Sequence, residues 1–168
     1  MKRLLPTLAA AGLLLTGTVA TAPGASAADR TCRGTIGKIT VDNVNVPKGA
    51  TCTLKGTRVK GDVKVRSGAT LKASRVNVDG NIQTQGHRSL SVSHSIVDGN
   101  IQAEKGAGTH IRRNTVDGDI QIFSNKRGVK NIYDNRVDGN LQCKSNTPAP
   151  KGARNKVKGN KEGQCRKF

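Results

Sequence analysis

One six-residue phrase returns at a nearly constant interval along this chain. It reads Val78-Asp79-Gly80-Asn81-Ile82-Gln83, then Val97-Asp98-Gly99-Asn100-Ile101-Gln102. Val116-Asp117-Gly118-Asp119-Ile120-Gln121 and Val137-Asp138-Gly139-Asn140-Leu141-Gln142 follow, with weaker copies at Val59–Lys64 and Val157–Asn160. The glycines stand at 61, 80, 99, 118, 139 and 159, a step of about nineteen residues. A fixed period of this kind marks a stacked-repeat protein, and it is too short for helix–turn–helix arrays, which need more than thirty residues per unit. The Leu/Asn signature of leucine-rich repeats is absent.

What fits the period is one coil of β-strands per repeat. Apolar residues alternate after each glycine, as in Val63 and Val65, Ile101 and Ala103, Ile120 and Ile122. A second alternating pair precedes each repeat, as in Cys52 and Leu54, Leu71 and Ala73, Leu90 and Val92, Thr109 and Ile111. Period-two alternation rich in β-branched residues predicts strands with one buried face. Asp-Gly and Gly-Asn steps supply the turns between them. Each coil can cover only its neighbours, so the stability is a sum over layers. A narrow interior of Val, Ile, Leu, Thr and Ala explains why the chain has one Tyr, two Phe and no Trp. Aromatics usually supply much of the buried area of a compact α/β enzyme, so that class is excluded. Twenty Gly without a Gly-X-Y period exclude collagen.

At about 4.8 Å per layer, six or seven coils would make a rod roughly 30 Å long. Its ends would expose unpaired strand edges. Cys32 and Cys52 are about one coil apart, and so are Cys143 and Cys165. Residues one coil apart stack on adjacent layers, within disulfide reach, so the expected bonds are Cys32–Cys52 and Cys143–Cys165. The expected fold class is all-β: a single-stranded right-handed parallel β-helix of about six to seven coils, disulfide-capped at both ends. The period fits poorly with the six-residue multiples of left-handed coils. Segment 146–152, with Pro148 and Pro150, is expected as a loop over the final coil within a C-terminal cap spanning 143–168.

The first residues read as an address. Lys2 and Arg3 precede an apolar stretch from Leu8 to Ala20, and Ala25-Ser26-Ala27 follows. A basic start, a short apolar middle and small residues before a cut predict a secretory signal peptide over 1–27. That leaves 28–168 as a single β-helix domain with its repeat coils over about 36–160. An even number of cysteines in a secreted chain agrees with two disulfides. The expected location is extracellular or associated with the cell wall.

The Gly-(Asn/Asp)-(Ile/Val/Leu)-Gln coils over about 36–160 resemble secreted bacterial right-handed parallel β-helix repeat proteins. Their rhythm is similar to that of bactofilins, the polymer-forming β-helical cytoskeletal proteins. Larger proteins with this fold include pectate lyases and other polysaccharide-acting enzymes, which carry acidic calcium ligands on a coil face. The resemblance implies the fold, and with it either self-assembly or action on polysaccharide.

Stacking turns the sequence into columns. The residue before each repeat glycine runs Lys60, Asp79, Asp98, Asp117, Asp138, Lys158. The carboxylates Asp79, Asp98, Asp117 and Asp138 are a candidate cation ladder, since Ca²⁺ takes carboxylate oxygens; alternatively, Asp simply suits the turn. The residue after each glycine runs Asp62, Asn81, Asn100, Asp119, Asn140, Asn160, and the one two further on is Lys64, Gln83, Gln102, Gln121, Gln142. Stacked amides can bond along such a ladder. Three positions before the repeat Val lie Arg75, His94, Arg113, Asp134 and Arg154, and six before it Lys72, Ser91, His110, Asn131 and Lys151. Arg112, Lys126, Arg127, Lys130, Arg136 and Lys144 extend this basic side. His87, His94 and His110 fall in three different columns and read as surface residues.

The formal net charge is +18, well beyond what solubility requires, and it should attract polyanions. The candidate binding residues are Lys72, Arg75, His94, Arg112, Arg113, Lys151 and Arg154. The expected partners are acidic polysaccharide or wall polymer, with extracellular nucleic acid bound without sequence specificity, because aromatics for base stacking are scarce. No G-x-S-x-G, H-E-x-x-H or P-loop motif is present. No cofactor is expected, Ca²⁺ on the Asp column apart. The leading expectation is a secreted, non-enzymatic binding or structural protein of the envelope. A minimal calcium-dependent polysaccharide lyase or hydrolase, and a bactofilin-like self-assembling scaffold, are the alternatives.

Overall fold

The computed structural model describes residues 29–168; the leader expected over 1–27 lies outside the described residues. The chain is a parallel β-solenoid of about seven turns, with no helix among the described residues. Every turn contributes one strand to each of three sheets, here called faces A, B and C in chain order. Face A has eight strands, from Arg30–Thr31 to Lys161–Gly163, and face B seven, from Thr35–Ile36 to Lys151–Ala153. Face C has seven two-residue strands, from Thr40–Val41 to Lys156–Val157.

The register is the sequence period made visible. Val63, Ile82, Ile101, Ile120 and Leu141 pair in turn on face A, and Cys52, Leu71, Leu90 and Thr109 on face B. Val41, Val59, Val78, Val97, Val116 and Val137 form the inner column of face C. These side chains are buried. Each buried aliphatic side chain contributes about 1.5–3 kcal/mol against exposure, and each bears only on the layers beside it. The steps longer than nineteen residues are absorbed between faces A and B. There the segments after Ile120–Phe123 and after Leu141–Lys144 run six residues before the next strand.

Both disulfides form as the spacing predicts, Cys32–Cys52 with Cα atoms 5.4 Å apart and Cys143–Cys165 with 5.3 Å. Each ties an end coil to its neighbour and closes a loop worth about 3 kcal/mol in the chain-entropy account. The C-terminal end is also plugged by a side chain. Phe168 packs on the core where Gly152 leaves room, and a Cβ at Gly152 would run into the Phe168 ring.

Two residues depart from expectation. Lys130 belongs to the interior, not to the basic surface: it is fully buried, and its ammonium donates to the carbonyls of Thr147 (2.8 Å) and Pro148 (3.3 Å). It occupies the inner column after Thr109 and ties down the last loop. Burial, with Lys126 nearby, lowers its pKa. His87 is likewise buried, at 1 % exposure, with Nδ1 2.7 Å from Thr84 Oγ1 and Nε2 3.0 Å from Thr109 Oγ1. A Cβ at Gly106, one layer on, would overlap the His87 ring. A glycine there gives the imidazole its space.

Candidate functional site

The three edges of the prism are built differently. At the edge between faces B and C, each coil from the second onward turns through one residue in the left-handed region. These are Gly56 (φ 67°), Arg75 (52°), His94 (52°), Arg113 (55°), Asp134 (59°) and Arg154 (57°). A left-handed residue with a Cβ costs about 1–2 kcal/mol, and glycine avoids that cost. Of these six residues only Gly56 is a glycine.

The next residue of each coil points inward and is buried: Thr57, Val76, Ser95, Asn114, Asn135 and Asn155. Asn114 donates its backbone N–H and its amide to Asn135 Oδ1, both at 3.1 Å, and Asn135 does the same to Asn155 Oδ1 at 3.1 and 2.9 Å. The second amide hydrogens reach the carbonyls of Val92, Ile111 and Ile132. Backbone groups left unpaired by the turn are thereby satisfied, which buried polar groups require. This floor, built of amides in its last three layers, lies beneath the outward left-handed residues, which stand in one line.

That line collects the expected binding residues. Arg75, His94, Arg113 and Arg154 stand in it on successive coils, interrupted by Asp134, and Arg112 stands beside it at the end of face B. Tyr133 lies between two guanidiniums, with Arg112 Cζ 5.4 Å and Arg154 Cζ 6.0 Å from its ring centroid. Arg154 donates to both carboxylate oxygens of Asp134, at 2.5 and 2.9 Å. That hydrogen bonding, with the guanidinium charge, holds the Asp134 carboxyl below its usual range and raises the Arg154 pKa. Arg113 Nη1 sits 3.5 Å from His94 Nε2. Together they line a groove of about 420 Å³.

Lys72 and Lys151 are exposed on face B, in the coils of Arg75 and Arg154, with Ser91, His110 and Asn131 stacked between them. Asn131 Nδ2 lies 3.2 Å from His110 Nδ1. Burial, reinforced by Arg112, lowers the His110 pKa. The strands of face B carry no Asp or Glu at all. Of the eleven acidic residues in the chain, Asp134 is the one on this edge.

The edge between faces C and A is the opposite case. Gly61, Gly80, Gly99, Gly118, Gly139 and Gly159 stack directly, each from Gly80 onward donating its N–H to the carbonyl of the glycine before it at 3.1–3.2 Å. A Cβ on Gly80, Gly99, Gly118, Gly139 or Gly159 would lie 2.7 Å from that carbonyl oxygen. The following residues form a continuous ladder. Asn81 donates its N–H and amide to Asp62 Oδ1 at 2.9 and 3.1 Å, and Asn100 does the same to Asn81 Oδ1. Asp119, Asn140 and Asn160 continue it. The Asn81 N–H holds the Asp62 carboxyl below its usual range, against the opposing effect of partial burial. On face A, Gln102, Gln121 and Gln142 chain their amides at 3.1 and 3.0 Å, ending on Glu162 at 3.0 Å.

Two of the four carboxylates in the column just before these glycines are answered by bases. Asp79 pairs with Arg58 at 2.9 Å and Asp138 with Lys158 at 2.6 Å, while Lys60 approaches Asp42 at 3.7 Å. Asp98 and Asp117 are exposed. Among the described residues, no three carboxylate, imidazole or thiol groups converge to hold a metal ion.

Sequence reading missed Tyr133 as part of the basic groove, and it missed the buried amide floors. The signal for the floors was present. Arg113-Asn114, Asp134-Asn135 and Arg154-Asn155 repeat at the coil period, as do Ser124-Asn125 and Ser145-Asn146 at the edge between faces A and B. In comparisons with known proteins, no family model, no curated protein and no solved structure matches the chain.

Proposed function

We propose that this is a secreted, non-enzymatic β-solenoid that holds an acidic polysaccharide or wall polymer along the B–C edge and the adjoining face B. The observation that carries this reading is the use of Arg75, His94, Arg113 and Arg154 at left-handed positions where glycine would be less strained. Strain kept at successive coils points to side chains selected for what they do outside the fold. Arg154 is paired with Asp134, but Arg75, Arg112 and Arg113 have no ion-pair partner among the described residues, and beside the acid-free face their field attracts polyanions. The rows of Ser, Thr and Asn hydroxyls and amides on face B suit sugar hydroxyls. With Tyr133 alone to stack on, single-stranded nucleic acid has little purchase. The disulfides agree with an oxidising compartment.

The test is retention on immobilised heparin and on isolated cell wall at about 20 mM salt, where screening is weak. Arg112→Glu/Arg113→Glu/Arg154→Glu should weaken binding about a hundredfold, since charge contacts dominate such affinities. Asp98→Lys/Asp117→Lys on the opposite edge should leave it equal or stronger. Elution of the wild-type protein in the void volume at low salt would end the proposal.

A further inference from the structure

The third edge, between faces A and B, carries its own line of charge. Lys48, Arg66, Arg88, Lys105, Lys126 and Arg127 stand on its successive turns. Two grooves run along it, one of about 1030 Å³ and one of about 660 Å³, and Lys105 lines both. Glu104 is the one carboxylate bordering the first, and none borders the second.

None of the six cations is in an ion pair among the described residues. Their hydrogen bonds go to neutral groups, which position them without cancelling their charge. Arg88 donates to Thr70 Oγ1 at 3.2 Å and Thr51 Oγ1 at 3.3 Å, and Lys126 to the Ser145 carbonyl at 2.9 Å. Lys105 also occupies a left-handed position, φ 51°, in the column where the preceding coil has Gly86. Ser124 and Ser145 continue that left-handed column at φ 56° and 57°, so Lys105 is the one cation in it.

Five-residue strands on face B separate the two edges by about 16 Å. That exceeds the screening length of about 8 Å at physiological ionic strength. Acidic chains on the two edges would not repel each other appreciably.

We infer that the A–B edge is a second oxyanion-binding line, so that one molecule holds two acidic polysaccharide segments and cross-links them. This rests on the proposed polyanion binding and adds the valency. The probe is a sulfated heparin hexasaccharide, titrated calorimetrically into the oxidised protein at physiological ionic strength, where the screening length is about 8 Å. Wild type should bind two per molecule. Lys105→Glu/Arg127→Glu should bind one, Arg112→Glu/Arg113→Glu should also bind one, and the fourfold variant none, with unchanged circular dichroism throughout. Long heparin chains should turn turbid with wild type and stay clear with either double variant. A wild-type stoichiometry of one, abolished by Arg112→Glu/Arg113→Glu alone, overturns the second line and leaves the first. A stoichiometry of two that Lys105→Glu/Arg127→Glu does not change also overturns it. No binding by wild type removes both.

Discussion

The B–C edge and the C–A edge solve one problem in two ways. Each must turn the chain between strands while keeping layers in contact, and each does so over a column of side-chain amides. At the C–A edge the backbone itself stacks, glycine on glycine, and no side chain fits. At the B–C edge the turn residue projects outward and can be almost anything that tolerates a left-handed backbone. The first edge is therefore dictated by packing, and the second is free to carry chemistry. Its occupants, three arginines and a histidine around one aspartate, are what that freedom was used for.

The A–B edge can be told apart from both of these by acid. An amide floor does not titrate, whereas at the A–B edge the buried His87 does. Burial, with Lys130 nearby, lowers its pKa from 6.5 to about 4. Between those values the unfolded chain binds the proton that the folded one refuses. This contribution is complete above pH 6.5, shrinks as pH falls to about 4, and levels off below. The loss amounts to about 3 kcal/mol at 1.36 kcal/mol per unit. Urea unfolding across that range should show it, and His87→Asn should flatten the profile. A slope unchanged in the variant would assign the acid sensitivity elsewhere.

Glycine exchange tests the contrast between the edges most directly. Gly99→Ala puts a Cβ against the Gly80 carbonyl and Asn81 Oδ1, and should cost about 2–3 kcal/mol, as overpacking does. Arg113→Gly should act in the opposite sense, raising stability by about 1 kcal/mol through relief of the left-handed Cβ while weakening heparin retention. Opposite signs in one set of urea titrations sustain the comparison. A loss of stability in both would show that the Arg113 side chain is structural.

The smallest effect is expected on face C. Arg58→Ala breaks the Arg58–Asp79 pair, in which the arginine is half exposed, and should change stability by less than about 1 kcal/mol. A larger loss would mean that the face C charges brace the rod.

Much of this was legible in the chain. The Val-Asp-Gly-Asn phrase implies coils, columns and both disulfides, because a rigid period leaves little choice about which residues meet. The Asn-Gln rows after the glycine also follow from it. His87 and Lys130 were misread for one reason: a polar side chain at an interior column looks the same in sequence as one outside. His87 is interior because Gly106 leaves space and Thr84 and Thr109 offer hydroxyls. Lys130 is interior because the last loop brings two carbonyls to its ammonium.

The sequence by itself determined the solenoid, its layer count and its end staples, since periodicity is a one-dimensional property and stacking is its direct consequence. Only the tertiary structure decided which cations share an edge, which are answered by acids and which remain free. Those outcomes depend on where each turn points its side chain around the prism. The +18 total reports how much charge there is; the prism's corners decide that face B and its two flanking edges carry it almost unopposed.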